Sequence, residues 1–178
     1  MRLKITFEKD ATIMRVVDVP KDKNLEFLHL TILACLELSP GEITSFWLSD
    51  NNWGRTVEIP LIQDSTVPDD GKEHEKMAVM EDVPIAEAIN EHMPKLIYEY
   101  DPMIQWSFKI EFIEYRAESD QFEYPILVQE NGKAPDHNLA KIAFINQLED
   151  NTSDDEDIFS SGGGFLDHDD DYDFYDED

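Results

Sequence analysis

Two runs of alternating apolar and polar residues stand close together near the centre of the chain, at residues 96–100 and 106–114. The apolar positions are Leu96, Tyr98 and Tyr100 in the first run and Trp106, Phe108, Ile110 and Phe112 in the second. Alternation with a period of two is typical of a strand that buries one face. Asp101-Pro102-Met103 separates the runs, and an Asp-Pro step favours an extended residue followed by a turn. The pattern therefore predicts an antiparallel hairpin with an aromatic buried face.

Similar runs elsewhere predict the remaining strands, because they alternate or are rich in β-branched and aromatic residues. They lie at residues 3–7 and 13–19, which we expect to pair as an N-terminal hairpin, and at 43–48, 56–59, 77–80 and 122–128. Clusters of turn-forming residues at 50–54 and 130–133 separate some of these runs from their neighbours.

Apolar residues at helical spacing predict a main helix over about residues 24–38, with Asn24 as its N-cap. A short helix is predicted to begin after its cap Asp82, with Pro84 in its first turn, and to run to His92. A closing helix is predicted at 138–148. Pro94 prevents the short helix from continuing.

Together these elements predict one α+β domain over residues 1–148. It is built on a mixed, mostly antiparallel curved sheet of five to seven strands, with the main helix packed on one face. Polar residues 63–75 are expected to form a loop. Residues 149–178 are dominated by Asp with Ser and Gly, and are predicted to be a disordered acidic tail. A length of 178 residues with a hydrophobic fraction of 41% suits one domain with a substantial core.

Acidic residues outnumber basic ones, 41 against 14, which gives a formal charge of −27. Residues 148–178 hold 14 of the acids and no Lys or Arg, so 14 basic and 27 acidic residues leave the body at −13. Affinity for nucleic acid comes from Lys and Arg that neutralise phosphates, so direct nucleic-acid binding is disfavoured. The charge predicts a basic protein surface as the partner.

Aromatic residues are interleaved with the acids of the tail. They are Phe159, Phe165, Tyr172, Phe174 and Tyr175. An acidic run is usually a solvated tail, whereas acids interleaved with rings can lie on a basic groove of a partner. In a third interpretation the tail folds over a pocket of its own domain. The sequence leaves all three open.

The cellular context follows from the same composition. Cys35 stands alone in an apolar run, so it is predicted to be a small buried residue rather than a nucleophile. The first residues read as a strand and lack the charged-then-apolar order of a signal peptide. No apolar run reaches the roughly 18 residues that a bilayer span requires. We therefore expect a cytoplasmic protein without a membrane anchor.

Motifs for catalysis and metal binding are not evident. Five histidines are present, but no Gly-x-Ser-x-Gly elbow links one of them to a nucleophile. His29 lies beside the apolar stripe of the main helix, and we expect it at the edge of the core. No two His or Cys have ligand spacing, and the Asp-rich residues 167–173 lack the Gly and closing Glu of a calcium loop. The sequence predicts no metal and no cofactor, and it leaves enzymatic activity undecided while favouring a non-enzyme.

Tyr98, Asp101, Trp106 and Tyr124 lie on or near the predicted aromatic hairpin. In one interpretation the rings are core and Asp101 caps the turn. In the other, the rings line a ligand cleft in which Asp101 is the polar group that fixes the ligand, with His29 as a further candidate. Core packing is favoured, and the cleft stays open as the alternative.

The chain resembles the plasmid pRi open-reading-frame-three-like family, whose members are also labelled insertion-element passenger proteins. The resemblance rests on the ordered combination of residues 96–101 (LIYEYD), Trp106 five residues after Asp101, and a later Tyr124-Pro125. Residues 3–6, 14–16, 25–30 and 45–47 add weaker matches, so that the resemblance spans roughly residues 1–136. It departs from the family pattern at Pro102-Met103 and at Phe108, where members usually carry Phe-Gly and a His.

This resemblance implies a passenger or accessory role rather than a recombinase active site. The leading hypothesis is therefore a non-enzymatic accessory or binding protein whose acidic tail contacts a basic protein partner. The alternative is a small-molecule binding or hydrolytic domain that uses an aromatic cleft around Tyr98, Asp101 and Trp106.

Overall fold

The structure, a computed structural model, describes residues 1–62, 77–117 and 121–153, with side chains through residue 148. Its elements are β1 Arg2–Phe7, β2 Met14–Asp18, α1 Leu25–Cys35, β3 Ser45–Ser49, β4 Arg55–Pro60, a 3₁₀ helix Met80–Asp82, α2 Ile85–Ala88, β5 Lys95–Asp101, β6 Trp106–Glu114, β7 Ile126–Asn131 and α3 His137–Ser153. The chain divides into two units, Met1–Ala140 and Lys141–Asp178. The predicted loop at 63–75 and the predicted tail contacts lie outside the described residues.

The described strands form one sheet in the order β4-β3-β5-β6-β1-β2-β7. Each neighbouring pair is antiparallel. The two predicted hairpins, β1 with β2 and β5 with β6, are both present. The predicted α+β fold with a mostly antiparallel sheet is thus confirmed. Its middle is the aromatic hairpin, flanked by β3 on one side and β1 on the other.

One face of the sheet is a continuous layer of rings. Tyr98 of β5 stands opposite both Phe46 of β3 and Phe108 of β6, and Phe108 stands opposite Phe7 of β1. The ring centroids of these neighbours are 4.9 to 6.2 Å apart in tilted arrangements. Tyr98, Phe46 and Phe108 are fully buried. Cross-strand aromatic pairs of this kind are a main source of sheet stability.

Helix α1 packs on this layer, as the sequence predicts. The Asn24 side chain accepts a hydrogen bond from the backbone N–H of Phe27 at 3.1 Å, so Asn24 is the expected N-cap. Leu25, Leu28 and Ile32 are fully buried. The helix ends at Cys35, earlier than the predicted residue 38, because Glu37 adopts a φ of 54° that no α-helix contains.

The opposite face carries polar partners across strands. Lys4 Nζ donates to Glu111 Oε2 at 3.1 Å, and Lys109 Nζ lies 3.1 Å from Glu8 Oε1. The alternation of Ser107, Lys109 and Glu111 with the apolar residues of β6 therefore separates a charged face from the ring face. Each of these ion pairs is partly exposed, so each contributes little to the stability of the fold.

Residues 77–82 differ from the prediction of a brief strand. The segment forms the 3₁₀ helix Met80–Asp82 instead, with Met80 fully buried. Asp82 lies inside that element and does not cap α2, whose N-cap is Pro84. Helix α2 also stops at Ala88, well before His92, because Ile89 is extended. Burial of Met80 beside α1 overrides the strand propensity of this segment.

The last strand is shifted from the predicted residues 122–128 to Ile126–Asn131. Pro125 has no N–H to donate to a ladder, so pairing with β2 begins at the next residue. The ladder includes Asn131, which the sequence predicts to be in a turn. Gly132 makes the turn instead, with a φ of 72° and with the Thr12 carbonyl oxygen 2.8 Å from where a Cβ would stand.

Helix α3 begins at His137 and extends beyond the predicted residues 138–148. Asp136 is its N-cap, because the Asp136 carboxylate accepts a hydrogen bond from the backbone N–H of Leu139 at 3.0 Å. The residues at helical spacing that suggested this helix are exposed rather than buried: Leu139, Ile142, Ile145 and Leu148. Within the described part of the chain, the helices are too short or too polar to cross a lipid bilayer.

Candidate functional site

A β-bulge at the end of β5 sets the position of Asp101. Glu99 pairs with Ser107 and Asp101 with Trp106, so Tyr100 is an extra residue in β5. Such a bulge changes the direction of the side chains that follow it. Tyr100 is fully buried and Asp101 is 2% exposed. The bulge therefore places the Asp101 carboxylate inside the domain. Regular alternation along β5 would place it on the other face of the sheet.

His137 meets this carboxylate from the first turn of α3. Its Nε2 lies 2.9 Å from Asp101 Oδ2, and its side chain is only 6% exposed. The rings of Tyr100 and Trp106 contact the imidazole edge to face, with centroids 4.9 and 5.1 Å away. The backbone N–H of Met103 donates to Asp101 Oδ1 at 3.0 Å, which leaves Oδ2 for the imidazole. Both partners are thus fixed in orientation.

Glu42 is the third ionisable residue of this site. One ligand atom from each of Glu42, Asp101 and His137 lies within 4.8 Å of the other two. Glu42 is half-buried, whereas Asp101 and His137 are buried. Burial raises the pKa of the neighbouring Tyr100 to about 12, and the negative charges of Glu42 and Asp101 add to that increase. We call Glu42, Asp101 and His137 the carboxylate–histidine cluster.

The cluster contains part of what nucleophilic catalysis needs. A buried carboxylate that orients an imidazole is common to catalytic triads. Among the described residues, however, the His137 ring is hydrogen-bonded to Asp101, and no Ser or Cys donates to it. The donor set of one imidazole and two carboxylates is instead one that transition-metal ions accept.

The proposed aromatic cleft is not open at its rings. Tyr98 is fully buried and Trp106 is 4% exposed, so both are core residues. Asp101 belongs to the carboxylate–histidine cluster, and Tyr124 is half-buried at the turn before β7. Of the predicted site residues, Asp101 and Trp106 both contact His137. Tyr98 is a packing residue of the core.

His29 lies in the core rather than at its edge, which corrects the expectation from the sequence. It is 5% exposed, and its Nδ1 lies 2.8 Å from the Tyr98 hydroxyl. This hydrogen bond satisfies a polar group in the ring layer and joins α1 to β5. Burial lowers the pKa of His29 from its ordinary value of 6.5.

The lowered pKa predicts a loss of stability in acid. The unfolded chain takes up the His29 proton more readily than the folded chain, so stability is complete above pH 6.5 and falls as the pH drops through the folded-state pKa. We expect His29→Gln, which retains a polar partner for Tyr98, to lose less stability than the natural chain between about pH 7.5 and about pH 5. Thermal unfolding across this range measures it, and equal losses in both proteins would contradict the assignment to His29.

Cys35 is not positioned as a nucleophile. Burial raises the pKa of its thiol to about 11, and the nearby Arg15 only partly opposes this increase. The Cys35 Sγ lies 3.5 Å from the carbonyl oxygen of Ile32 in the same helix. At neutral pH the thiolate population is therefore very small. The residue is half-buried, whereas the sequence predicts a buried one.

A second site is an open groove between α1 and the segment from the 3₁₀ helix to α2. Its volume is about 540 Å³. Four exposed carboxylates and one lysine line it, namely Asp22, Glu26, Glu81, Asp82 and Lys23, together with Asn24 and the apolar residues Phe27, Leu30 and Pro84. Leu30, on the exposed side of α1, is 57% exposed. We call this the acidic groove.

Both sites combine residues that are distant in the sequence. Asp101 and His137 are 36 positions apart, and Glu42 belongs to a third segment. No local motif contains His137 or Glu42 at ligand spacing, so the sequence pattern does not indicate them as site residues. A polar residue directly after an N-cap, as at Asp136-His137, is the one local signal that could have suggested a role. The acidic groove was missed because Glu81 and Asp82 reach α1 only through the fold.

Comparisons with known proteins agree with the fold. The model of a family described as "Plasmid pRiA4b ORF-3-like protein" matches residues 1–176, a longer span than the roughly 1–136 expected from the sequence. A search of curated proteins finds no match. Among solved structures, the protein of unknown function MM3350 from Methanosarcina mazei Go1 is similar, with a TM-score of 0.64 at 17% identity over 87% of this chain and 82% of that one. At this identity the similarity shows the fold alone.

Proposed function

The chain belongs to the plasmid pRiA4b ORF-3-like family, and from that premise we propose that it is a non-enzymatic accessory protein that binds a basic segment of a partner protein. The observation that carries the proposal is the acidic groove, a concave surface with four carboxylates and one lysine. A mobile-element passenger role and a cytoplasmic location are part of the same proposal.

Charge complementarity selects the occupant. Asp22 and Glu26 line the groove from the α1 side, and Glu81 and Asp82 belong to the segment on its other side. Clefts lined by charges of one sign concentrate ligands of the opposite sign and speed their association. The overall formal charge of −27 adds a long-range attraction for basic proteins. A lysine-rich or arginine-rich segment is therefore the ligand that this surface favours.

The apolar residues of the groove refine that description. Phe27 and Leu30 stand one helical turn apart on α1 and offer an apolar surface between the carboxylates. Lys and Arg side chains pack their aliphatic stems on such a surface while their charged ends reach acidic neighbours. The segment that fits best carries basic residues around at least one apolar residue.

The two walls of the groove are tied together by hydrogen bonds. Asn24 Nδ2 donates to the Glu81 carbonyl oxygen at 3.1 Å. The backbone N–H of Leu25 donates to the Val83 carbonyl at 2.9 Å, and that of Ile85 donates to the Lys23 carbonyl at 2.8 Å. A site that is already ordered loses less conformational entropy when a ligand binds. This favours the groove over a surface that would have to rearrange.

The acidic tail extends the same chemistry. Its 14 acids without Lys or Arg would attract the partner before it reaches the groove. The interleaved Phe159, Phe165, Tyr172, Phe174 and Tyr175 would supply apolar contacts once it is bound. In this proposal the groove provides the specific contact and the tail increases the rate of association and the avidity.

Reversing two charges in the groove should weaken binding of a basic peptide by about tenfold or more, because the new lysines repel its positive side chains. A tenfold change in Kd corresponds to about 1.4 kcal/mol. The affinity is measured by fluorescence anisotropy of a labelled lysine-rich peptide with one central leucine. The natural full chain is compared with the double variant Glu26→Lys/Glu81→Lys. The matched control is Glu58→Lys with Glu123→Lys, which makes the same change in net charge at exposed acids outside the groove.

The two double variants separate a site from a general charge effect. The proposal predicts a clear loss of peptide affinity only for the groove variant. Net charge and tail are the same in both variants, so only the location of the substitutions differs. Equal losses would show that net charge alone attracts the peptide and would overturn the groove as the site. The double variant Phe159→Ser/Phe165→Ser measures how much the aromatic residues of the tail contribute to peptide affinity. Unchanged affinity would restrict the contact to the groove.

A further inference from the structure

We propose that the carboxylate–histidine cluster binds one divalent transition-metal ion of the manganese-to-zinc series. Glu42, Asp101 and His137 come from three separate segments of the chain, and one ligand atom of each lies within 4.8 Å of the other two. An imidazole with two carboxylates is a donor set for these metals, whereas Ca²⁺ and Mg²⁺ prefer sites made of oxygen alone.

The spacing of the donors suits one ion. Ligands at about 2.0–2.2 Å from a metal stand roughly 3–3.5 Å from one another when they are adjacent. His137 Nε2 and Asp101 Oδ2 are 2.9 Å apart, so an ion could take both with a small displacement. Glu42 is the half-buried member, and rotation of its side chain would bring the third donor into range.

The surroundings hold the first two donors in place. The Met103 N–H occupies Asp101 Oδ1 and leaves Oδ2 for a metal. The rings of Tyr100 and Trp106 contact the imidazole of His137 at 4.9 and 5.1 Å and fix its plane. The Tyr100 hydroxyl in turn donates to the Ser39 carbonyl at 2.7 Å. Groups that orient the ligands in this way strengthen metal binding.

Electrostatics favours a cation at this position. Glu42 and Asp101 lie beside two buried rings, where the effective dielectric constant is lower than in water and a cation is attracted more strongly to their carboxylates. Asp101 is 2% exposed, so water solvates its charge poorly. A divalent cation would offset both negative charges at once. Three protein donors would leave further coordination positions for water or a small anion, which the half-exposed side of Glu42 admits.

Titration of the full chain with Zn²⁺ tests the site. Calorimetry is done in the presence of excess Ca²⁺, which fills weak oxygen-only sites among the acids of the tail. The natural chain should bind one equivalent of Zn²⁺, and His137→Ala should bind it at least 100-fold more weakly. The matched control is His92→Ala, which removes an exposed histidine whose Nε2 lies 3.6 Å from Glu91 and should leave the affinity unchanged.

A second variant and a second measurement guard against misfolding. Glu42→Gln changes the half-buried donor, so the fold should persist by circular dichroism while Zn²⁺ affinity falls about tenfold or more. X-ray absorption of the zinc complex should show oxygen and nitrogen neighbours including one imidazole. The absence of one-to-one binding in the natural chain, or equal affinity in the natural chain and Glu42→Gln, would overturn the proposal.

Discussion

Replacing Phe108 with alanine should lower the free energy of unfolding by about 3–5 kcal/mol. Phe108 is fully buried, and its ring centroid lies 5.1 Å from that of Phe7 and 6.2 Å from that of Tyr98. Removing the ring would leave a cavity at the centre of the aromatic layer, where three strands meet and neighbouring side chains have little room to collapse. Urea unfolding followed by tryptophan fluorescence measures the loss.

The control for this prediction is Ile113→Ala on the same strand. Ile113 is 46% exposed, so its truncation should change the free energy of unfolding by less than about 0.5 kcal/mol. Both variants remove apolar side-chain atoms from β6, but only Phe108 is buried. Similar losses in the two variants would contradict the position of the core on the ring face of the sheet.

Replacing Asp101 with alanine should lower the free energy of unfolding by about 1–3 kcal/mol, because it leaves the buried His137 Nε2 and the Met103 N–H without their hydrogen-bond acceptor. Asp101 and His137 are 2% and 6% exposed, and their side chains meet at 2.9 Å. A double-mutant cycle with His137→Ala measures the interaction directly by denaturant unfolding. We expect a coupling energy above about 1 kcal/mol, whereas additive effects would show that the two side chains do not interact in solution.

Local patterns predicted the centre of the fold. The alternation in residues 96–100 and 106–114 and the Asp-Pro break between them correspond to β5, β6 and their connection. The N-cap Asn24 and the apolar spacing after it located α1 within a few residues. These signals work because hairpins and caps depend on residues that are close in sequence.

Elements governed by distant contacts were predicted less well. Residues 77–80 carry an apolar pattern that fits a strand, yet Met80 is buried in a 3₁₀ helix beside α1. The position of β7 depends on its ladder with β2, which starts only after Pro125. The stripe of α3, from Leu139 to Leu148, has helical spacing but is exposed. Propensity identified the type of β7 and α3 but not that of residues 77–80, and packing decided the limits and the burial of all three segments.

The candidate sites show the same division. Asp101 stood out in the sequence as a polar residue at a turn, but its burial results from a β-bulge that the alternation does not reveal. His29 looked like a boundary residue because its hydrogen-bond partner, the Tyr98 hydroxyl, lies on β5 and is distant in the sequence. Neither the carboxylate–histidine cluster nor the acidic groove follows from local spacing, since each joins separate segments of the chain.

In the proposed function, the acidic groove receives a basic segment of a partner. The most direct measurement is a titration of the ¹⁵N-labelled full chain with the lysine-rich peptide, followed by amide chemical shifts. The proposal predicts saturable shifts concentrated at residues 22–30 and 81–84, with additional changes in the tail and little change at β4 or β7. Shifts confined to the tail, or saturable shifts on another surface, would contradict the proposal.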